Sequence, residues 1–226
     1  YEQGIYMLDP PRGIAALDRA ARRDAKGIIA RGGDLGGSPA LTRALGKVNA
    51  AGEQLNELVY AASRAALAKG HLLGVVGGDH SVPFGAIQAI AEKHPGMGVL
   101  HFDAHADLRI AYEGFTWSHA SIMYNVLERL PLVEKLVQVG IRDVCQQEIE
   151  LCRSAGQRVA TFTDGALARA RFEGRSFQGT ARAIVEALPE RVWVSFDIDG
   201  LDARYCPHTG TPVPGGLEFA EANFLL

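Results

Sequence analysis

Gly98-Val99-Leu100-His101-Phe102-Asp103-Ala104-His105-Ala106-Asp107 is a short, mostly apolar run that gives way to two carboxylates and an imidazole spaced two residues apart. Gly98–Phe102 is too short for a buried helix and suits a strand covered on both faces. Leu72–Val76, Leu136–Ile141, Arg158–Phe162 and Val192–Phe196 read the same way. Between them, Pro83–Lys93, Ser118–Leu130, Gln146–Ala155 and Ser176–Leu188 have the length and composition of helices. Strands alternating with helices predict an α/β domain, with a parallel sheet covered by helices on both sides and right-handed crossovers. The first seventy residues differ. Asp9–Arg23 and Pro39–Lys69 read as helices, the second with Ser38 as N-cap and Pro39 at its first position. The intervening Gly32-Gly33-Asp34-Leu35-Gly36-Gly37 lacks the spacing and the Lys of a nucleotide loop and reads as a turn.

The chain has 226 residues, 23 Lys+Arg against 26 Asp+Glu, a formal net charge of −3 and 47% hydrophobic residues. That balance excludes a broad nucleic-acid footprint. No apolar run reaches the roughly 18–20 residues of a membrane span, and no signal-peptide pattern is present, so the expected location is the cytoplasm. Three cysteines without a C-x-x-C motif point to a reduced compartment. Tyr1 stands where an initiator Met would, and Asn223-Phe224-Leu225-Leu226 ends the chain inside a helical pattern. A single domain over residues 1–226, truncated at both ends, is the expectation.

Three strand ends carry the chemistry. Leu72–Val76 runs into Gly77-Gly78-Asp79-His80-Ser81, Gly98–Phe102 into Asp103-Ala104-His105-Ala106-Asp107, and Val192–Phe196 into Asp197-Ile198-Asp199-Gly200-Leu201-Asp202. In an open parallel sheet, ligands bind outside the carboxyl ends of the strands, so these turns can converge. Alternate residues of extended chain share one side, about 6.6 Å apart, which puts Asp103, His105 and Asp107 in one row and Asp197 and Asp199 in another. With His80 the set has six members. Four crowded carboxylates repel one another unless cations neutralise them, and oxygen-rich ligation with only two imidazoles suits two Mn²⁺ ions.

With Thr209-Gly210-Thr211-Pro212 added, these blocks resemble the signatures of the ureohydrolase superfamily, the arginases and agmatinases, in order from about residue 70 to 220. The resemblance implies a three-layer α/β/α sandwich with a mainly parallel sheet, here C-terminally incomplete. It implies a binuclear manganese centre and hydrolysis of a guanidino C–N bond by a metal-bridging hydroxide, releasing urea and an amine. A homo-oligomer, trimer or hexamer, is also implied. Carried over by position, His80, Asp103, Asp107 and Asp197 would bind one ion, and His105, Asp103, Asp197 and Asp199 the other. Asp107 would also steady the tetrahedral intermediate, and His119 would shuttle protons at the pocket mouth. Asp79, His101 and Asp202 would orient ligands and loops rather than bind metal. The family's substrate-holding glutamate belongs to a later strand, which would lie beyond Leu226.

Ser118-His119 and the neighbouring Tyr112, Phe115 and Trp117 tilt the substrate toward a decarboxylated guanidino compound such as agmatine. Glu113, Trp117 and His208 are candidate substrate contacts, Glu113 for a distal ammonium. His208 replaces a small residue and Ala203 a proline relative to the family pattern. Arginine, formiminoglutamate, guanidinobutyrate and guanidine stay open as substrates. A single-zinc deacetylase of related fold uses fewer ligands from comparable loops; His80 and Asp107, which would give a second metal its own ligands, argue against it. A non-catalytic relative would have lost ligands, and all six are present.

Overall fold

The computed structural model describes residues 4–226. Its centre is a four-stranded, all-parallel sheet: β1 (Met97–Phe102), β2 (Val133–Ile141), β3 (Val159–Thr163) and β4 (Val192–Phe196), in the spatial order β3-β2-β1-β4. Side chains alternate across it. Met97 and Val99 of β1 and Leu136 of β2 face one core, which α3 (Phe84–Lys93), α4 (Ile122–Arg129) and α5 (Gln146–Ser154) cover. Leu100 and Phe102 of β1 and Val137 and Val139 of β2 face the other, covered by α6 (Asp164–Phe172), α7 (Phe177–Glu186) and α8 (Phe219–Leu225). Two covered faces explain why β1 is buried at every position. The result is helix, sheet, helix.

Before the sheet, α1 (Ile14–Ile29) packs on α2 (Pro39–Ala68), which in turn packs on α3. Ser38 caps α2 by accepting from the Leu41 amide at 3.4 Å. Among the described residues no helix is long and apolar enough to cross a membrane. The cysteines are free, and Gly32–Gly37 is a turn in which Asp34 Oδ1 accepts from the Gly36 amide at 2.8 Å.

Leu72–Val76, read as a strand from its apolar run, forms none. Leu73 and Val75 pack against the first core, whereas Leu72 and Val76 are 102% and 91% exposed. The alternation is that of a strand. What is missing is a ladder, because no strand among the described residues lies beside this segment to accept its backbone hydrogen bonds. The segment therefore delivers His80 to the sheet end without belonging to the sheet. The helix expected over Asp9–Arg23 is shifted to Ile14–Ile29, and α6 was not foreseen.

Two glycines let the strand ends meet. Gly140 has φ +94°, and a Cβ there would lie 3.1 Å from the Asp103 carbonyl oxygen. A Cβ on Gly200 would lie 2.8 Å from the Asp103 amide nitrogen. Gly140→Ala should therefore lower stability by about 1–3 kcal/mol through the forced left-handed backbone and the contact with Asp103. Urea unfolding of the two proteins measures this, and an unchanged midpoint would contradict it.

Candidate metal centre

The chain leaves β1 at Asp103 and turns sharply, with Asp107 in the left-handed region at φ +55°. Such a conformation in a non-glycine residue costs energy and needs external support. Support comes from α4: the amides of Met123 and Tyr124 in its first turn donate to the Asp107 carbonyl at 3.0 and 3.1 Å. One contact satisfies two unpaired helix donors and fixes the loop. Glu148 of α5 supports the other side, accepting from the Leu108 amide and the Cys145 amide, both at 2.9 Å.

Asp103 is the hub. Its Oδ2 lies 2.9 Å from His80 Nδ1 and 2.9 Å from His101 Nε2, while its Oδ1 accepts from the His105 amide at 2.7 Å. His80 Nδ1 also approaches Asp107 at 3.3 Å and Asp197 at 3.5 Å. On the other side, His105 Nδ1 stands 3.3 Å from Asp103 Oδ1 and 3.2 Å from Asp199 Oδ2. Two groups thus have ligand atoms within 4.8 Å of one another: His80, His101, Asp103 and Asp107, and Asp103, His105 and Asp199. Asp103 belongs to both. Asp197 lies at the rim, its side chain 27% exposed, with Oδ1 accepting from the Asp199 amide at 3.1 Å.

This donor set fits divalent cations that accept oxygen and imidazole nitrogen. Its electrostatics point the same way, since the cluster holds protons in place of positive charge. Burial, then repulsion from Asp103, pushes the Asp107 carboxyl up to about 8. Hydrogen bonds to Asp103 and Asp199 push His105 up to about 10. His80 is raised despite its burial, by Asp103, Asp107 and Asp197. Asp103 is held well below the carboxylate range, burial being outweighed by His101, His105 and His80. Asp197 is lowered too, its partial burial being overcome mainly by His80.

Other expected residues sit further out. Asp79 is exposed and closes a turn on the Ser81 amide and hydroxyl. Asp202 pairs with Arg204 at 3.0 Å. His119 opens a short 3₁₀ turn, with its ring 5.7 Å from that of Tyr112. Glu113 and Gly114 form the tip of a tight hairpin, both at positive φ, which Asn49 of α2 ties down through Gly114 and Thr116. Trp117, half-buried, packs edge-on against Phe84 and under Arg129, toward α2 and α3. His208 is exposed on a turn.

Further contacts around the site come from residues to which the sequence assigned no individual role. Ser195 Oγ lies 2.8 Å from His80 Nε2, and Thr211 donates to Asp199 Oδ2 at 3.2 Å. Arg142, just after β2, donates to the carbonyls of Gly140, Asp199, Leu201 and Val213, tying the loop of Asp199 to the sheet. Ser195 and His101 each stand two residues before a cluster aspartate, a spacing that marks them as facing the same side.

The chain matches the Arginase family over residues 23–226. It is 39% identical over 175 residues to the N(1)-aminopropylagmatine ureohydrolase of Thermus thermophilus, covering 77% of this chain and 55% of that protein. It is 36% identical over 156 residues to the proclavaminate amidinohydrolase of Streptomyces clavuligerus, covering 67% and 48%. The solved arginase of Bacillus cereus superposes with a TM-score of 0.66 at 25% identity, over 80% of this chain and 65% of that one. The chain thus spans about half the length of the curated relatives it matches. Family match, fold and the ordered strand-end blocks agree: this chain belongs to the Arginase family.

Proposed function

We propose that the protein hydrolyses a guanidino C–N bond to urea and an amine with two Mn²⁺ ions held by His80, Asp103, His105, Asp107, Asp197 and Asp199. The observation carrying this reading is Asp103, whose two carboxylate oxygens face two separate groups of ligand atoms. When bound, such ions would lower the pKa of a coordinated water toward neutrality and so supply the nucleophile.

The chain's own groups do the rest. Asp107, fixed by α4, accepts a hydrogen bond from the attacking water and steadies the tetrahedral carbon that forms on the substrate. As the C–N bond breaks, the departing nitrogen takes a proton, which His119 supplies from the loop beside Tyr112. Glu113, held at the hairpin tip, pairs with a distal ammonium. A substrate without an α-carboxylate and with a cationic tail, of the agmatine or N(1)-aminopropylagmatine type, suits that carboxylate. The relative named for the latter compound supports this choice.

Urea release by the Mn²⁺-loaded protein tests the reading. Agmatine and N(1)-aminopropylagmatine should surpass arginine and 4-guanidinobutyrate in kcat/KM by at least about tenfold, the scale of one charge contact in a binding site. Asp107→Ala should cut urea release by on the order of a hundredfold or more. Preference for arginine would refute the substrate class, and full activity in Asp107→Ala would refute the mechanism.

Removing the metal exposes the proton-binding cluster. His80, His105 and Asp107 bind protons more tightly in the folded protein than in the unfolded chain. Their stabilisation is complete below the ordinary values and is lost as pH rises through the folded ones, about 8 for Asp107 and about 10 for His105. The lowered Asp103 and Asp197 lose theirs only at acid pH. Metal-free protein should therefore melt at progressively lower temperature from about pH 6 to about pH 10, while Mn²⁺ affinity rises as protons leave. A melting temperature that rises over this range would contradict the assignment.

A further inference from the structure

One register position carries a polar row across the whole sheet. Thr161 of β3 pairs with Gln138 of β2, Gln138 with His101 of β1, and His101 with Ser195 of β4. Gln138 and His101 are fully buried and Ser195 is 3% exposed, in a sheet whose cores are otherwise apolar. Polar groups so placed must be hydrogen-bonded to avoid a large cost.

Their bonds run in one direction only. The carbonyl of Ala106 can only accept, so Gln138 turns its amide nitrogen toward it, at 2.8 Å. The second hydrogen on that nitrogen points at His101 Nδ1, 3.1 Å away. Thr161 Oγ1 donates to the remaining Gln138 Oε1 at 3.2 Å. A ring nitrogen that receives an N–H must offer a lone pair, so the proton of the neutral His101 ring is on Nε2. Nε2 faces Asp103 Oδ2 at 2.9 Å and donates to it.

We propose that Gln138, which touches none of the six ligands, is a positioning residue: it fixes the tautomer of His101 and, through it, the orientation of the Asp103 carboxylate. In the opposite tautomer the lone pair of Nε2 would face Asp103 Oδ2, and the carboxylate would turn away from the oxygen arrangement that serves both ligand groups. The consequence for metal binding rests on the two-ion reading. The tautomer belongs to the protein alone.

Side-chain ¹⁵N NMR of the metal-free protein reads the tautomer directly, and Mn²⁺ titration followed by EPR reads the consequence. In the unaltered protein, His101 should show a protonated Nε2 and an unprotonated Nδ1. In Gln138→Met, the Nδ1-protonated form should become populated and Mn²⁺ affinity should fall about 10- to 100-fold, the usual effect of losing a partner behind a metal ligand. Thr161→Val, at an exposed edge position, leaves both nitrogen contacts of Gln138 in place and should keep the tautomer. His101 carrying its proton on Nδ1, or on both nitrogens, in the unaltered protein overturns the proposal even if Gln138→Met fails to fold. So does a Gln138→Met protein with unchanged tautomer and affinity. A protein that binds no Mn²⁺ yet shows the expected tautomer, lost in Gln138→Met, upholds the role of Gln138 and removes the two-ion reading instead.

Discussion

Everything around the site answers to the mutual repulsion of Asp103, Asp107, Asp197 and Asp199, brought to the ends of parallel strands. Carboxylates at hydrogen-bond range of shared imidazoles cannot all ionise without positive charge nearby. The folded chain supplies that charge by raising His80 and His105 and by keeping a proton on Asp107 to about pH 8. Cations would do the same while ordering the carboxylates, which is why the donor chemistry and the proton affinities lead to one reading.

Such repulsion has to be resisted by the scaffold. Left-handed Asp107 is fixed by two amides of α4, and the segment after it by the buried carboxylate of Glu148. Arg142 gathers four carbonyls and attaches the Asp199 loop to the end of β2. Gly140 and Gly200 allow three backbone segments to come within van der Waals contact around Asp103. These residues are outside the set of six proposed ligands, yet they keep like charges at close range. Apolar packing on both faces of the sheet holds the strands from which the loops spring.

Much of this was legible in the sequence because parallel strands buried on both faces leave continuous apolar runs, and because carboxylates two apart in extended chain share a side. Gly98–Phe102 and Val192–Phe196 end where they were read to end, give or take one residue. Leu72–Val76 forms no strand despite its pattern, because an apolar run records burial preference, whereas a strand also requires a neighbour to bond with. The packing of Trp117 was not legible, because aromatic composition does not say which way a loop side chain turns; Gly52 of α2 lies against it and Arg129 covers it. Gln138 and Arg142 left little trace, since their roles depend on register between β1 and β2 and on loops brought from 57 or more residues away.

In the proposed function, Asp103 joins two metal positions in one site. Mn²⁺ titration with metal analysis and EPR tests it most directly. Two Mn²⁺ per chain should bind at saturation with a spin-coupled spectrum, and Asp103→Asn should lose that coupling. Saturation at a single ion, or two uncoupled ions whose binding is indifferent to Asp103→Asn, would contradict it.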